Sequence, residues 1–536
     1  MTKLVSSDHK GATILVAQLA ACGLKHAVIS PGSRNAPLTI AFDSHPDICT
    51  HVVIDERAAS HFALGLSLES GIPAAVVCTS GTASLNHGPA IAEAFHHRIP
   101  LISITADRPT SVIEKGHGQS VFQTGVFSKN CKHSIIIDEL ELSDEAIIVE
   151  TKKAFDIAAS GTSVHINVPF EEPLYGKSEL GELNLIDGSK KIKCDLDIPE
   201  ELIAPDSKIL VLGGSLPFYR DCSGVVLTVP GICEKFSGIS GDAVVHSGDM
   251  FLAKNDGCWP EDLIPDYVIT VGTPTLSKSL RNKLIELKPQ HYHVSSSGKG
   301  WDTWGGLVKT IECDPKAWLI EFEKRNENHS GYREAWSKVE KHANLDGVNW
   351  SDALAFSTIL NNLPLDTKVH LSNSTSARYI QLIEFPLSLR IHCNRGVAGI
   401  DGCTSTAVGD ATESDGLVFL ISGDIAFLYD INGLASVEEI PSNFKAVVIN
   451  NGGGEIFRWL NGPEEVGLVD KYFETRPRTK VKSAAEYCGL DYFCASDLDG
   501  AKEAMSQLIS SDIPAVLEII TDPITSTEVY KTILRR

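Results

Sequence analysis

The feature that most narrows the possible folds is a pattern repeated through the first third of the chain: a short apolar run, a tight turn, then a helical segment. HAVIS leads into PGSRN and a helix through Leu38 to Phe42, and HVVID leads into Glu56, Arg57 and AASHFALGLSLESG. PAAVVCTSGTAS leads into AIAEAFHH, and PLISITADRP supplies a further strand and turn. Apolar runs of this length without polar alternation are what strands buried on both faces require. Strands that alternate with helices predict a parallel, doubly wound sheet. SVHINVP at 163–169 reads as the last strand of this unit, and the polar, turn-rich stretch after it reads as a linker.

A middle unit opens with the strand KILVLGG at 208–214, includes VVLTVPG and DYVITVGTPTLSKSL, and leaves through a charged helical stretch at 315–345. From about Ser351 the first theme returns in KVHLSNSTSARYI, GLVFLISGDIAFLYDINGLASV, FKAVVINNGGGEIF and the late strand PAVLEIITD. A chain of 536 residues is too long for one core. The expected architecture is therefore α/β, with three doubly wound parallel-sheet domains at 1–185, 186–350 and 351–536, the first and third alike.

Charge and composition remove several functions. With 47 Lys and Arg against 69 Asp and Glu, the net charge of −22 argues against a nucleic-acid or anionic-membrane partner. No apolar run reaches the roughly 18 residues of a membrane span. The N-terminal segment reads as a short tail and an amphipathic helix, without the order of regions that marks a signal peptide. The 13 cysteines are scattered with no CxxC pair, which predicts reduced thiols in a cytoplasmic protein. No HExxH and no Cys/His cluster in the sequence suggests zinc.

Ligands of open parallel sheets sit at the carboxyl ends of the strands. There the first unit offers Ser33 and Arg34, Glu56 and Arg57, Ser80-Gly81-Thr82, and Asp107-Arg108. The third offers Ser374 and Arg378, Asn394-Arg395, Gly423-Asp424, and Asn450-Asn451 running into Gly452-Gly453-Gly454. Any one of these fits an ordinary loop: Asp424 as a helix cap, GGG as a turn, an arginine bridged to a carboxylate. A whole series at strand ends is harder to dismiss. An Asp, an Asn and a glycine-loop carbonyl are hard oxygen ligands suited to Mg²⁺, and a helix N-terminus beside them favours a diphosphate.

A GD followed by an NN at the next strand end, with Asp424 and Asn451 27 residues apart, resembles the metal–diphosphate motif of thiamin diphosphate enzymes. Ile425 stands where that wider family has a glycine after the aspartate. The departure fits one branch: ISPGSRNAPL, DERAASHFALG, TSGTA, TADRP, NRGVAGIDG and NNGGGEIF, in this order, resemble the 2-succinyl-5-enolpyruvyl-6-hydroxy-3-cyclohexene-1-carboxylate synthases. The resemblance spans about residues 10 to 460 and is weakest in the middle unit.

The resemblance implies a chemistry and a set of roles. Thiamin diphosphate reacts through the carbanion at C2 of its thiazolium, and a carboxylate on the pyrimidine N1′ promotes the tautomer that takes the C2 proton. Glu56 matches that catalytic carboxylate. Asp424, Asn451 and the Gly453 carbonyl match the ligands of Mg²⁺ or Mn²⁺, and Gly423 adjoins them. Ile400 matches the apolar residue wedged between the cofactor rings, and Ile456 and Phe457 match the thiazolium side. The implied reaction decarboxylates 2-oxoglutarate and adds the four-carbon carbanion to isochorismate, a step of menaquinone or phylloquinone biosynthesis. Both substrates are dicarboxylates, and an arginine fork pairs with a carboxylate bidentately. Arg34, Arg108, Arg378 and Arg395 match the family's substrate motifs, with Ser33, Ser374 and Gln119 as polar contacts and Lys278 reaching in from the middle unit. Gly118 stands where the family leads one to expect an asparagine beside Gln119. Self-association as a homodimer or a dimer of dimers, with active sites at the interface, is implied as well. The alternative is another thiamin diphosphate-dependent 2-oxoacid decarboxylase or carboligase; the arginine set argues against it, because pyruvate has one carboxylate. KILVLGGSLPF resembles the start of a nucleotide-binding unit, but a lone strand–GG is a weak signal, and the middle unit reads as structural apart from Lys278.

Overall fold

In the computed structural model, which describes residues 5–179, 181–188, 196–326, 331–386 and 388–535, the strands gather into three six-stranded parallel sheets flanked by helices. The first runs Cys49–Val52, His26–Ile29, Ala74–Cys78, Leu101–Asp107, Ser163–Pro169, His133–Ile136. The third runs Arg390–Cys393, Lys368–Leu371, Val418–Gly423, Phe444–Asn450, Ala515–Ile520, Asp491–Ala495. Numbered along the chain within each sheet, both have the order 2-1-3-4-6-5, so the two sheets share one winding. The middle sheet runs Val244–Val245, Gly231–Cys233, Ile209–Gly213, Tyr267–Val271, Gln290–Val294, Leu307–Ile311, an order of 3-2-1-4-5-6. That is the strand order of a dinucleotide-binding sheet, which the lone GG of the sequence only hinted at.

The inner strands are buried along their whole length, as at Ala74–Cys78, Leu101–Asp107 and Ser163–Pro169. Their side chains face helices on both sides, and the polar residues within them, such as Thr105, His165 and Asn167, are buried and hydrogen-bond across neighbouring strands. The edge strand Cys49–Val52 is half exposed.

The chain divides into two compact units. One comprises Met1–Lys191, Gly396–Ser414 and Asp430–Ile440. The other comprises Ile192–Arg395, Asp415–Tyr429 and Pro441–Arg536. In the first, helix Glu56–Ser70 crosses helix Cys403–Glu413 at very close range. A Cβ on Gly65 would lie 2.2 Å from the Thr406 carbonyl, and one on Gly409 would lie 2.1 Å from that of Phe62. Both positions therefore require glycine, because the obstacle is backbone on each side.

Three expectations need correction. The N-terminal helix Lys10–Ala21 is not amphipathic: Gly11 to Leu19 are all buried, because further chain covers the face that was expected to meet water. Part of that cover is the linker, where the Gln18 amide donates to the Ile186 carbonyl at 2.7 Å. The linker is also partly ordered, since Lys177–Glu179 pairs antiparallel with Val5–Ser7. The thiols are not all reduced: Cys313 is disulfide-bonded, whereas the other described cysteines are free. Such a pairing depends on proximity in the fold, which scattered cysteines do not encode. No helix among the described residues is long and apolar enough to cross a membrane.

In the second unit, Lys235 is buried with its Nζ donating to the Ile383 carbonyl at 2.6 Å and lying over the Phe385 ring. Burial pushes its ammonium from 10.5 down to about 7. Between those values the unfolded chain binds more protons than the folded one, so this contribution to stability grows with pH and is lost as pH falls toward 7.

Two outcomes are expected. Gly65→Ala overpacks the helix crossing and lowers unfolding free energy by about 1–3 kcal/mol in urea titrations. Lys235→Met flattens the rise in stability between pH 7 and pH 9 that the unsubstituted protein shows.

Candidate active site

In the order shared by the first and third sheets, the winding reverses between the first and third strands, and a crevice opens at their carboxyl ends. The turn after His26–Ile29 is held from inside. The Ser30 hydroxyl donates to the Val53 carbonyl at 2.8 Å, and the Asn35 amide donates to the Ser30 carbonyl at 2.9 Å. A Cβ on Gly32 would lie 2.3 Å from that of Thr79, so glycine lets the turn press on the neighbouring strand end. Ser33 is exposed, with its hydroxyl 2.7 Å from that of Tyr175.

Arg34 is only 5% exposed. Its Nη1 donates to the Phe170 carbonyl at 2.9 Å and its Nη2 to Glu172 at 3.1 Å, while its buried Nε has no partner. Burial, and then the nearby charge of Arg108, hold its pKa below the ordinary arginine value. Arg34 thus has a structural attachment on one side and an unmet donor. Arg108 is half-buried, and its Nε is also without a partner. The adjoining Asp107 accepts from the Arg108 backbone N–H at 2.7 Å and from the Asn167 amide at 2.8 Å. Gln119 is exposed at a positive φ of 58°, with its backbone against Gly81.

Glu56 is the first residue of helix Glu56–Ser70 and is half-buried. Asp55 caps that helix through the N–H groups of Arg57 and Ala58, and its second oxygen accepts from the Asn432 amide at 2.6 Å. With Asp55 satisfying the helix end, the Glu56 carboxylate is left toward the end of strand Ala74–Cys78, where the Asn86 amide lies 3.5 Å away. Ile400 is half-buried in the loop before helix Cys403–Glu413. That loop is strapped by the buried Glu93, which accepts from the N–H groups of Gly396 and Val397 at 2.8 Å each.

In the other unit, strand Val418–Gly423 passes straight into helix Asp424–Tyr429. Its neighbour Phe444–Asn450 ends beside it, with Gly423 paired to Ile449. Asp424 is 2% exposed. One carboxylate oxygen accepts from the Ile425 N–H at 2.8 Å, and the other is buried with no partner. Burial, reinforced by Asp352, pushes this carboxyl up to about 7. A buried carboxylate oxygen with nothing to bind is costly and is what a cation would relieve.

Beside it, the Asn451 amide donates both hydrogens to carboxyls, to Asp352 at 2.9 Å and to Glu455 at 2.8 Å. The planar amide is thereby oriented with its oxygen turned away from both. Burial next to Asp352 pushes Glu455 up to about 10, so it keeps its proton. Gly453 has φ of 146°, and a Cβ there would lie 2.4 Å from the Glu474 carbonyl, so the loop tolerates only glycine. Ile456 and Phe457 follow in the turn Glu455–Arg458, half-buried, with Phe457 packed on Phe473. An unpartnered carboxylate oxygen, an oriented amide oxygen and a glycine carbonyl are a donor set that fits Mg²⁺ or Mn²⁺.

Two cations of this unit, Arg378 and Arg395, lie close enough to feel each other's charge. Arg378 Nη1 donates to the Ser374 carbonyl at 2.9 Å, with Ser374 at a positive φ of 77°. Arg395 Nη1 donates to Asn373 at 2.7 Å, and its buried Nε has no partner. Burial lowers the pKa of Arg378, with Arg395 adding to the effect and Tyr530, Asp249 and Glu234 opposing it. Lys278 begins the helix Lys278–Leu287, capped by Ser277, and is exposed.

Several residues of this arrangement escaped the sequence. Asp352 and Glu455 hold Asn451, and Glu234, buried with one oxygen unpartnered, feels the charge of Arg395. Glu455 adjoins the GGG loop and carried that faint signal; Asp352 and Glu234 carried none. The sequence carries no Cys/His motif, but the fold brings His26, Cys49 and His51 together.

Comparison with known proteins places this geometry. Residues 9–129 match the thiamine pyrophosphate enzyme N-terminal TPP binding domain, and residues 378–519 match the C-terminal TPP binding domain. Fold and matches define the class: a thiamin diphosphate enzyme. A protein of Flavobacterium johnsoniae named 2-succinyl-5-enolpyruvyl-6-hydroxy-3-cyclohexene-1-carboxylate synthase is 36% identical, with 95% of each chain covered. Proteins of the same name from Bacteroides thetaiotaomicron and Desulfotalea psychrophila are 33% and 35% identical, over 98% and 94% of this chain and 98% and 96% of theirs. The chain belongs to the 2-succinyl-5-enolpyruvyl-6-hydroxy-3-cyclohexene-1-carboxylate synthase family.

Because Arg34 spreads its fork over Phe170 and Glu172, a lysine cannot make both bonds. Arg34→Lys is expected to lower stability by about 1–3 kcal/mol, read by thermal and urea unfolding without any substrate.

Proposed function

We propose that this chain decarboxylates 2-oxoglutarate and adds the resulting four-carbon unit to isochorismate, giving 2-succinyl-5-enolpyruvyl-6-hydroxy-3-cyclohexene-1-carboxylate and CO₂ in menaquinone or phylloquinone biosynthesis. The observation that carries the proposal is the buried, unpartnered Asp424 oxygen beside the clamped Asn451, in a chain related along nearly its whole length to synthases of that name. Thiamin diphosphate, when bound, supplies the nucleophilic carbon that accepts the 2-oxo acid and stabilises the charge left by CO₂.

The protein's own groups have distinct tasks in this proposal. Asp424, Asn451 and the Gly453 carbonyl hold Mg²⁺ or Mn²⁺ on the diphosphate, with Gly423 giving close approach. Glu56 holds a proton at the pyrimidine N1′. Its place at a capped helix start fixes its direction, and its partial burial strengthens a charged hydrogen bond. Ile400, Ile456 and Phe457 supply apolar contact and exclude water from the reacting carbon. Arg108, Arg378 and Arg395 bind and orient substrate carboxylates, assisted by Arg34 through its unmet Nε, by Ser33, Ser374 and Gln119, and by the exposed Lys278. We extend the proposal to domains at 1–185, 186–350 and 351–536, to a homodimer or dimer of dimers, and to a cytoplasmic location.

The test is direct. Purified protein with Mg²⁺, thiamin diphosphate, 2-oxoglutarate and isochorismate releases CO₂ and forms the isochorismate adduct. No CO₂ and no adduct, or faster turnover of pyruvate than of 2-oxoglutarate, overturns the reading. Glu56→Gln lowers turnover by about a hundredfold or more with an unchanged unfolding temperature. Asp424→Asn weakens thiamin diphosphate binding in Mg²⁺ calorimetry by about tenfold or more.

A further inference from the structure

The cluster of His26, Cys49 and His51 lies away from the residues considered so far, on strands whose carboxyl ends carry the turn at Ser30 and the cap at Asp55. His26 opens its strand, and Cys49 opens the neighbouring edge strand. Register pairs His26 with Cys49, and alternate residues of a strand share a face, so His51 falls on the same face as Cys49. The three ligand atoms all lie within 4.8 Å of one another. His26 Nδ1 is 3.1 Å from His51 Nε2. A tetrahedral zinc ion with nitrogen ligands at about 2.0–2.1 Å needs a separation of about 3.3 Å, so these nitrogens are already close to the required spacing.

The other nitrogen of His26 makes the cluster more than a meeting of side chains. His26 Nε2 lies 3.1 Å from the carboxylate of Glu413, the last residue of helix Cys403–Glu413. A carboxylate behind a histidine fixes its tautomer and ring plane and raises its basicity, as in metal-ligating histidines generally. Burial holds His51 down at about 4 and lowers His26 as well, so both rings are neutral and able to donate a lone pair at pH 7. Cys49 is exposed, which leaves a way in for an ion and an open position for water.

We propose that His26 Nδ1, His51 Nε2 and Cys49 Sγ form a binding site for a borderline-soft divalent cation of the zinc class, with Glu413 as the orienting carboxylate. Without metal, His26 donates from Nε2 to Glu413 and accepts at Nδ1 from His51 Nε2–H. On binding, the His51 proton moves to Nδ1, the Cys49 S–H bond breaks as sulfur binds the ion, and the thiol proton leaves to solvent. The ion ties the edge strand Cys49–Val52 and its neighbour His26–Ile29 to a helix that crosses Glu56–Ser70, so its role is to brace this unit. Mixed nitrogen and sulfur ligands suit zinc and disfavour Mg²⁺, so this site is chemically distinct from the oxygen set around Asp424.

The test uses full-length, chelator-treated protein titrated with Co²⁺ and then Zn²⁺ in millimolar Mg²⁺. Cobalt reports a bound thiolate through its sulfur-to-metal charge-transfer band. The expected result is a single Co²⁺ per chain with that band, displacement by Zn²⁺, and a rise in unfolding temperature with Zn²⁺. Cys49→Ser abolishes the band and the thermal shift while leaving turnover unchanged. His51→Gln and Glu413→Gln each weaken binding by about tenfold or more. Absence of the band, a band that survives in Cys49→Ser, or binding indifferent to both His51→Gln and Glu413→Gln overturns the proposal. Cys49 is exposed, so its serine variant tests the site even if a histidine variant folds poorly.

Discussion

A parallel strand covered by helices on both faces has room for charge only at its ends. That constraint organises this molecule. The inner strands are buried almost throughout and mostly apolar, so arginines, most carboxylates and glycine turns collect where the strands stop. The same winding in the first and third sheets then puts a reversal of strand order beside Ser30 and Thr79 in one, and beside Ser372 and Gly423 in the other. Each crevice is a consequence of topology before it is a consequence of chemistry.

Placing polar groups at such an edge has a cost, and the structure indicates where it falls. Asp424 keeps an oxygen in a buried place with nothing to bind, and its pKa rises accordingly. Arg34, Arg108 and Arg395 each keep an unpartnered buried Nε. Unmet buried atoms also occur elsewhere, at Thr151, His133 and Trp336 for example; what these four groups share is charge and a place at a strand end. Asp55, by contrast, has its carboxylate oxygens satisfied within the chain by Arg57, Ala58 and Asn432. Under the proposed function, anion-seeking donors at some strand ends and a cation-seeking acceptor at another are the groups that a metal diphosphate and dicarboxylate substrates would satisfy.

Much of this was legible in the chain. Unbroken runs such as PAAVVC and PLISIT announce strands buried on both faces, and the turns after them announce the ligand edge. Ordered motifs such as DERAASHFALG and NNGGGEIF carried the family. Tertiary partners were not legible. The N-terminal helix looked amphipathic because its covering segments lie far along the chain. Asp352 sits 99 residues from the Asn451 that it orients, and Glu413 nearly 400 from His26. Arg34 read as a cleft residue, while its attachment to Phe170 depends on a strand end 136 residues away.

The sequence by itself determined the alternation of strand and helix, the parallel sheets and the family, because these rest on local periodicity and on short motifs whose residues act together. Only the tertiary structure decided which neighbours those residues have. Whether an arginine is anchored, whether an asparagine amide is held in one orientation, and whether two histidines and a cysteine converge all depend on strand register and helix crossing. Register and crossing are settled by packing between distant segments, and no local stretch of sequence carries that information.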